Sequence, residues 1–210
     1  MNKSYKEKIK FRKRFLFEHC EEDFVCFTTN SNILISIPHA VSQIRLGKLK
    51  IAEIGTLPFG YLLAQELGAN IIVKTKNNND DANFDEVSSY RDKIEHLVSA
   101  KGIKYLVDIH GMKKSRECDV NLGINFGYNI KSNEKLFTAL ESELKRAGFS
   151  VQIDIPFKAG QRTIAGSFAK RFNIFTLQIE INCGITNESA NNKRANLLLQ
   201  TITNVFKKVK

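Results

Sequence analysis

The feature that most constrains this chain is an alternation. Short apolar runs rich in β-branched residues recur along it, and most are separated by segments that carry helix-start and helix-stop signals. Residues 24–29, 32–38, 69–74, 105–110, 120–126, 151–155 and 175–181 read as strands, the first two around an Asn30-Ser31 turn. A helix is expected from an N-cap near Thr56, with Pro58 in its first turn, to a stop at Gly68. Ser89 and Asp92 have capping-box spacing and open a second helix that runs to about Gly102. Asn133–Ala147 with Gly148 as its stop, a short segment near Thr163–Phe172, and much of residues 188–208 complete the helices. Strands separated by helices need crossover connections, and these produce a largely parallel sheet covered on both faces. With 42% hydrophobic residues over 210 positions, the chain can build one such core. A single domain over 1–210 is expected, and its basic N-terminal segment, 1–20, is left free to lie at the periphery.

The formal charge is +10. Much of it sits at the ends, in Lys3, Lys6, Lys8, Lys10, Arg12, Lys13 and Arg14 and again in Lys207, Lys208 and Lys210. No nucleic-acid motif accompanies it, so a solvated basic surface is the expectation and nucleic acid is disfavoured as a partner. Cys20, Cys26, Cys118 and Cys183 are scattered without a C-x-x-C pair, which reads as free thiols in a reducing compartment. No signal-peptide core or run of ~18 apolar residues is present. A cytoplasmic protein with no membrane partner is the expectation.

In sheets of this kind the ligand site lies at the carboxyl ends of the strands. His39 follows the strand ending at Pro38, His110 ends its own strand, and Glu180 lies at the end of another. Two histidines and a carboxylate are a known ligand set for a catalytic zinc, which takes three protein ligands and leaves one position for water. Glu53, after the His39 loop and just before a helix, is the carboxylate chosen to complete a one-ion site. Glu180, closing an otherwise apolar strand, is the candidate acid/base, because a bare buried carboxylate needs a partner or a purpose. Asp108 stands two residues before His110 and shares its strand face, so it either orients that imidazole or is tied into the sheet. His19 and His96 read as structural.

Seven segments in order resemble one family. Ile35-Ser36-Ile37-Pro38-His39-Ala40, Glu53-Ile54-Gly55-Thr56, Asp81-Ala82-Asn83 and Val107-Asp108-Ile109-His110-Gly111-Met112 are similar to the S-I-P-H, D-x-G-T, D-x-N and D-x-H segments of the N-formylglutamate amidohydrolases. Arg116, Asp119 and Gly123 match R-x-x-D-x-x-x-G, Ile155–Gly160 resembles N-x-P-F-x-G-G, and Leu177–Asn182 is close to L-Q-x-E-x-N. The likeness spans roughly residues 33–183.

The resemblance implies His39, Glu53 and His110 as zinc ligands and Glu180 as acid/base. It also implies a three-layer αβα fold with a mixed, mostly parallel sheet, like the zinc-dependent exopeptidases and carboxypeptidases. Asn83, in the D-x-N segment, is expected to contact substrate, as are Arg116 and Arg162 as anion clamps. The implied substrate is a small N-acyl (N-formyl) amino acid or peptide. Asn77 and Phe84 stand where the family commonly has arginine, which argues against N-formylglutamate itself. The alternative is a retired hydrolase scaffold that binds nucleic acid or an acidic partner through its basic ends.

Overall fold

A computed structural model describes residues 5–187 and 192–209. In chain order the elements are α1 (Tyr5–Glu18), β1 (Phe24–Phe27), β2 (Ile33–Ile37), β3 (Gln43–Arg45), β4 (Lys48–Lys50), α2 (Thr56–Leu67) and β5 (Asn70–Lys74). There follow α3 (Ser89–Lys101), β6 (Tyr105–Met112), β7 (Val120–Gly123), α4 (Glu134–Arg146), β8 (Val151–Ile153), α5 (Ile164–Phe172), β9 (Phe175–Asn182), α6 (Cys183–Thr186) and α7 (Asn192–Phe206). Part of the final helix expected over 188–208 lies outside the described residues.

The main sheet has the order β1-β5-β2-β6-β9-β7-β8. Its centre, β5-β2-β6-β9, is parallel, β7 turns back against β9, and β1 closes the far edge antiparallel to β5. The expected mixed, mostly parallel sheet is present. One neighbour relation differs from a local reading: β1 and β2 flank the Asn30-Ser31 turn but do not pair, because β5 lies between them. Asn70 helps hold this arrangement, its side chain donating to the Ser31 and Ile33 carbonyls and accepting from Thr29 N–H.

Apolar side chains fill both faces. One core joins Ile35, Ile37, Val107, Ile109, Leu177 and Ile179 to α2, α4 and α7. The other joins Leu34, Ile72 and Leu106 to α3 and α5 through Tyr90, Ile94, Ile164 and Phe168. Alternation along the strands sorts the residues between these layers. Asp108 and His110 share the second face, one rung across from Gln178 and Glu180.

Helix starts depart from the expected positions by one residue. Thr56 is the first helical residue of α2, and its hydroxyl donates to the Glu53 carbonyl at 2.6 Å, tying the helix start to the site. Ser88, not Ser89, caps α3 by accepting from Arg91 N–H. Gly68 and Gly102 end α2 and α3 in the left-handed conformation that glycine adopts without strain.

The basic N-terminal segment forms α1, which the alternation argument did not foresee. Phe11 and Phe15 pack against Tyr61 of α2, Lys8 is buried, and Arg12 donates from Nη2 to the Ala40 carbonyl at 2.7 Å. Part of the N-terminal charge therefore faces the fold and reaches the residue next to His39. Among the described residues no helix is long and apolar enough to cross a membrane.

Candidate metal centre and substrate cleft

The carboxyl ends of β2, β6 and β9 open into a cleft of about 920 Å³. His39 sits in the turn after β2, buried at 2% exposure. The loop that follows carries the β3–β4 hairpin out and returns at Glu53, whose N–H donates to the His39 carbonyl at 3.0 Å. Residues fourteen apart in sequence are thereby locked side by side. Gly111 permits the close approach. Its N–H donates to Glu53 Oε2 at 2.8 Å, and a Cβ in its place would stand 3.3 Å from that of Glu53.

The three expected ligands come together. His39 Nδ1 is 2.8 Å from Glu53 Oε1, His110 Nδ1 is 3.4 Å from Glu53 Oε2, and the two Nδ1 atoms are 3.1 Å apart. The opposite nitrogens are occupied. His39 Nε2 lies 3.0 Å from Asp81 Oδ1, and His110 Nε2 lies 2.9 Å from Asp108 Oδ2. A carboxylate only accepts, so with Asp81 and Asp108 holding the Nε2 protons the neutral form of each imidazole presents a lone pair at Nδ1. Two lone pairs and a carboxylate then face one another, an arrangement that is repulsive without a cation between them. The metal-free protein meets this with protons. Burial opposes charge on both imidazoles, yet the Glu53 charge and the Asp81 and Glu53 hydrogen bonds raise His39, and the Asp108 and Glu53 charges raise His110 further. Burial likewise opposes ionisation of Glu53, and the two imidazoles overcome it and hold its carboxyl well below the usual range. A divalent metal fits the same centre: two imidazoles and one carboxylate, each imidazole held by a carboxylate behind it.

Glu180 lines the same cleft at 5% exposure. Burial first, with the Glu53 charge adding to it, pushes its carboxyl up to about 7, against the pull of the two imidazoles. Gln178 donates to Glu180 Oε1 at 2.8 Å and fixes the group along the strand face.

The other expected residues have distinct positions. Asn83 borders the cleft, but its side chain is engaged: Oδ1 accepts from Ile164 N–H at 2.8 Å, and Nδ2 lies 3.2 Å from His110 Nε2. Arg116 and Arg162 both line the cleft and are exposed, Arg116 over the Phe157 ring at 5.5 Å. Phe84 forms a platform. Arg45 lies 5.0 Å and Arg162 5.4 Å from its ring centre. Arg45 Nε also donates to Asp81 Oδ2 at 2.7 Å, so Asp81 joins His39 to the cationic wall. Buried Arg91 donates to the Ala82, Asp85 and Arg162 carbonyls and pins the two loops that form this wall. Arg45, Arg91 and Gln178 were not foreseen, nor was the role of Asp81. The D-x-N segment was the one available pointer to Asp81.

A family model for N-formylglutamate amidohydrolase matches residues 88–185. The matched span includes Asp108, His110, Arg116, Arg162 and Glu180, and leaves His39 and Glu53 before it. The fold agrees. An N-formylglutamate amidohydrolase from Ralstonia eutropha JMP134 superposes with a TM-score of 0.64 at 15% identity, over 89% of this chain and 96% of that one. A bacteriophage poly-gamma-glutamate hydrolase gives 0.54 at 16% identity, over 92% and 94%. A metallo-carboxypeptidase from Pseudomonas aeruginosa gives 0.56 at 15% identity, over 95% of this chain and 69% of that one. No curated protein matches the chain in sequence. The match to N-formylglutamate amidohydrolase and the fold together support an amide-cleaving hydrolase of the zinc-carboxypeptidase-like fold, with a small amide as substrate.

Proposed function

We propose that this protein is a zinc-dependent amidohydrolase that cleaves the amide bond of a small N-acyl amino acid or peptide, and that residues 1–210 form one hydrolase domain with α1 as part of it. The observation that carries the reading is the convergence of His39 Nδ1, His110 Nδ1 and the Glu53 carboxylate, with Asp81 and Asp108 behind the imidazoles. Those three groups would hold one zinc ion, a metal well matched to imidazole and carboxylate donors. Bound there, zinc would acidify a water molecule and polarise the amide carbonyl.

The remaining work falls to this chain's own groups. Glu180 takes a proton from the attacking water and returns it to the leaving nitrogen, a task suited to a carboxyl near 7. Hydrolysis then releases a carboxylic acid and an amine. Gln178 keeps the Glu180 carboxylate turned along the strand face. Arg162 and Arg45, set against Phe84, and Arg116, set against Phe157, bind the anionic part of the substrate. Asn83 acts mainly through the start of α5, its Oδ1 accepting from Ile164 N–H and so holding that helix beside the cleft.

Glu180→Gln tests the assignment. The variant is expected to keep its metal and its substrate affinity and to lose turnover by at least about a hundredfold, the lower range for general acid–base catalysis. Full turnover in that variant would remove Glu180 from the mechanism.

A further inference from the structure

Leu49 of β4, with Ile51 and Ile54 in the segment after it, is the apolar part of the cleft lining that the chemistry above leaves unused. Leu49 is 66% exposed, Ile51 79% and Ile54 37%, and all three line the cleft. Leu46, between the two strands of the hairpin, is 80% exposed with φ +50, a backbone conformation that costs a leucine about 1–2 kcal/mol. Single exposed apolar residues are ordinary, but Leu49, Ile51 and Ile54 together on the wall of one cleft mark a binding surface.

Ile51 and Ile54 stand on either side of Glu53 in the chain and line the same cleft, so the apolar lining adjoins the proposed ligand. The cationic wall of Arg45, Phe84 and Arg162 meets the same centre through Asp81 and His39. An amide held at the centre has two arms. The amine arm, if it bears a carboxylate, suits the arginines. The acyl arm then lies against the apolar lining. A formyl group has no carbon beyond its carbonyl and would leave Leu49 and Ile51 in water, and the cleft volume is near the top of the range for drug-sized ligands.

We infer that the substrate carries an apolar acyl chain seated on the apolar lining of Leu49, Ile51 and Ile54, making it an N-acyl amide of an acidic amino acid rather than an N-formyl one. This rests on the amidohydrolase reading and specifies its acyl side. Hydrolysis would release a fatty carboxylate and the acidic amino acid.

The test uses N-formyl-, N-acetyl-, N-butyryl-, N-hexanoyl- and N-octanoyl-L-glutamate. On the zinc-loaded full chain, kcat/KM is expected to rise about twofold per methylene, half the roughly fourfold of complete burial, because the apolar lining covers one side of the chain. Binding of the same series to Glu180→Gln protein, followed by calorimetry, is expected to tighten in parallel. The double variant Leu49→Asn, Ile51→Asn should flatten both trends while its melting temperature stays near that of the parent. Affinity that is flat or falls with chain length overturns the inference, whatever the turnover. If no member of the series is cleaved while binding still tightens, the amidohydrolase reading fails and the apolar site stands. A ligand-independent dimer that the double variant abolishes, together with a flat series, assigns these residues to a second copy of the chain and also overturns the inference.

Discussion

Replacing Asp108 by asparagine tests the reasoning about the groups behind the metal ligands. Asp108 is fully buried, with Oδ2 2.9 Å from His110 Nε2. Its Oδ1 is also buried and has no partner among the described residues. The carboxylate stabilises the imidazole in the tautomer that presents Nδ1 to Glu53 and His39, and it raises the basicity of that nitrogen. Asparagine has the same shape, so His110 stays in place and its Nε2–H can still be accepted. The charge is lost, however, and the new NH₂ group points to where Oδ1 now has no partner. Partners of this kind are worth about 10–100-fold in metal affinity, or roughly 1.4–2.8 kcal/mol. Competition with a chromogenic zinc chelator measures this directly, and the expected outcome is a dissociation constant 10–100 times higher with native-like circular dichroism. An unchanged zinc affinity would mean that Asp108 only completes the sheet, and would refute the argument from tautomer and lone pairs.

Phe84→Leu removes the ring beneath Arg45 and Arg162, so KM for an anionic substrate should rise about 5–30-fold with kcat nearly unchanged, taking roughly 0.5–1 kcal/mol for each cation–π contact. A KM equal to the parent's would dismiss the platform. Gly166→Ala, at the first turn of α5, places a methyl group against the Gly160 carbonyl and 2.6 Å from that of Ala159. A loss of about 1–3 kcal/mol is expected, which in calorimetry appears as a melting temperature lower by roughly 2–12 °C. Asp119 accepts from Ser150 N–H and from Arg194, and despite partial burial these interactions hold its carboxyl below the ordinary value. Its stabilisation is present above the unfolded-state pKa and disappears as pH falls through the lower folded value. Denaturant titrations of Asp119→Asn should therefore differ from the parent at neutral pH and converge with it in acid.

The central strands were legible because their signal is local. Parallel strands buried on both faces are rich in apolar β-branched residues, and Ile33–Ile37 is apolar but for Ser36, while Tyr105–Met112 and Phe175–Asn182 keep an apolar residue at most positions of one face and take polar ones on the other. Polar residues closing those strands pointed to His39, His110 and Glu180 by the same logic. The β3–β4 hairpin was not legible, because strands of three residues with exposed Leu49 and Lys48 carry no alternation to detect. Nor was α1: its exposed and inward cations mix along the helix, and only tertiary contact separates Lys8 and Arg12 from the solvated lysines. Arg45 and Asp81 are 36 residues apart, and no spacing rule links them. Phe84 read as the loss of an arginine because one position cannot reveal that its ring gathers two arginines from elsewhere.

The central claim is that His39, Glu53 and His110 together hold one divalent ion. Elemental analysis of the purified full chain, repeated on His39→Ala, Glu53→Ala and His110→Ala proteins that keep their fold, addresses it most directly. One zinc equivalent per chain in the parent and well below one in each variant is the predicted result. A parent with no stoichiometric metal after zinc loading, or three variants that all retain a full equivalent, would contradict it.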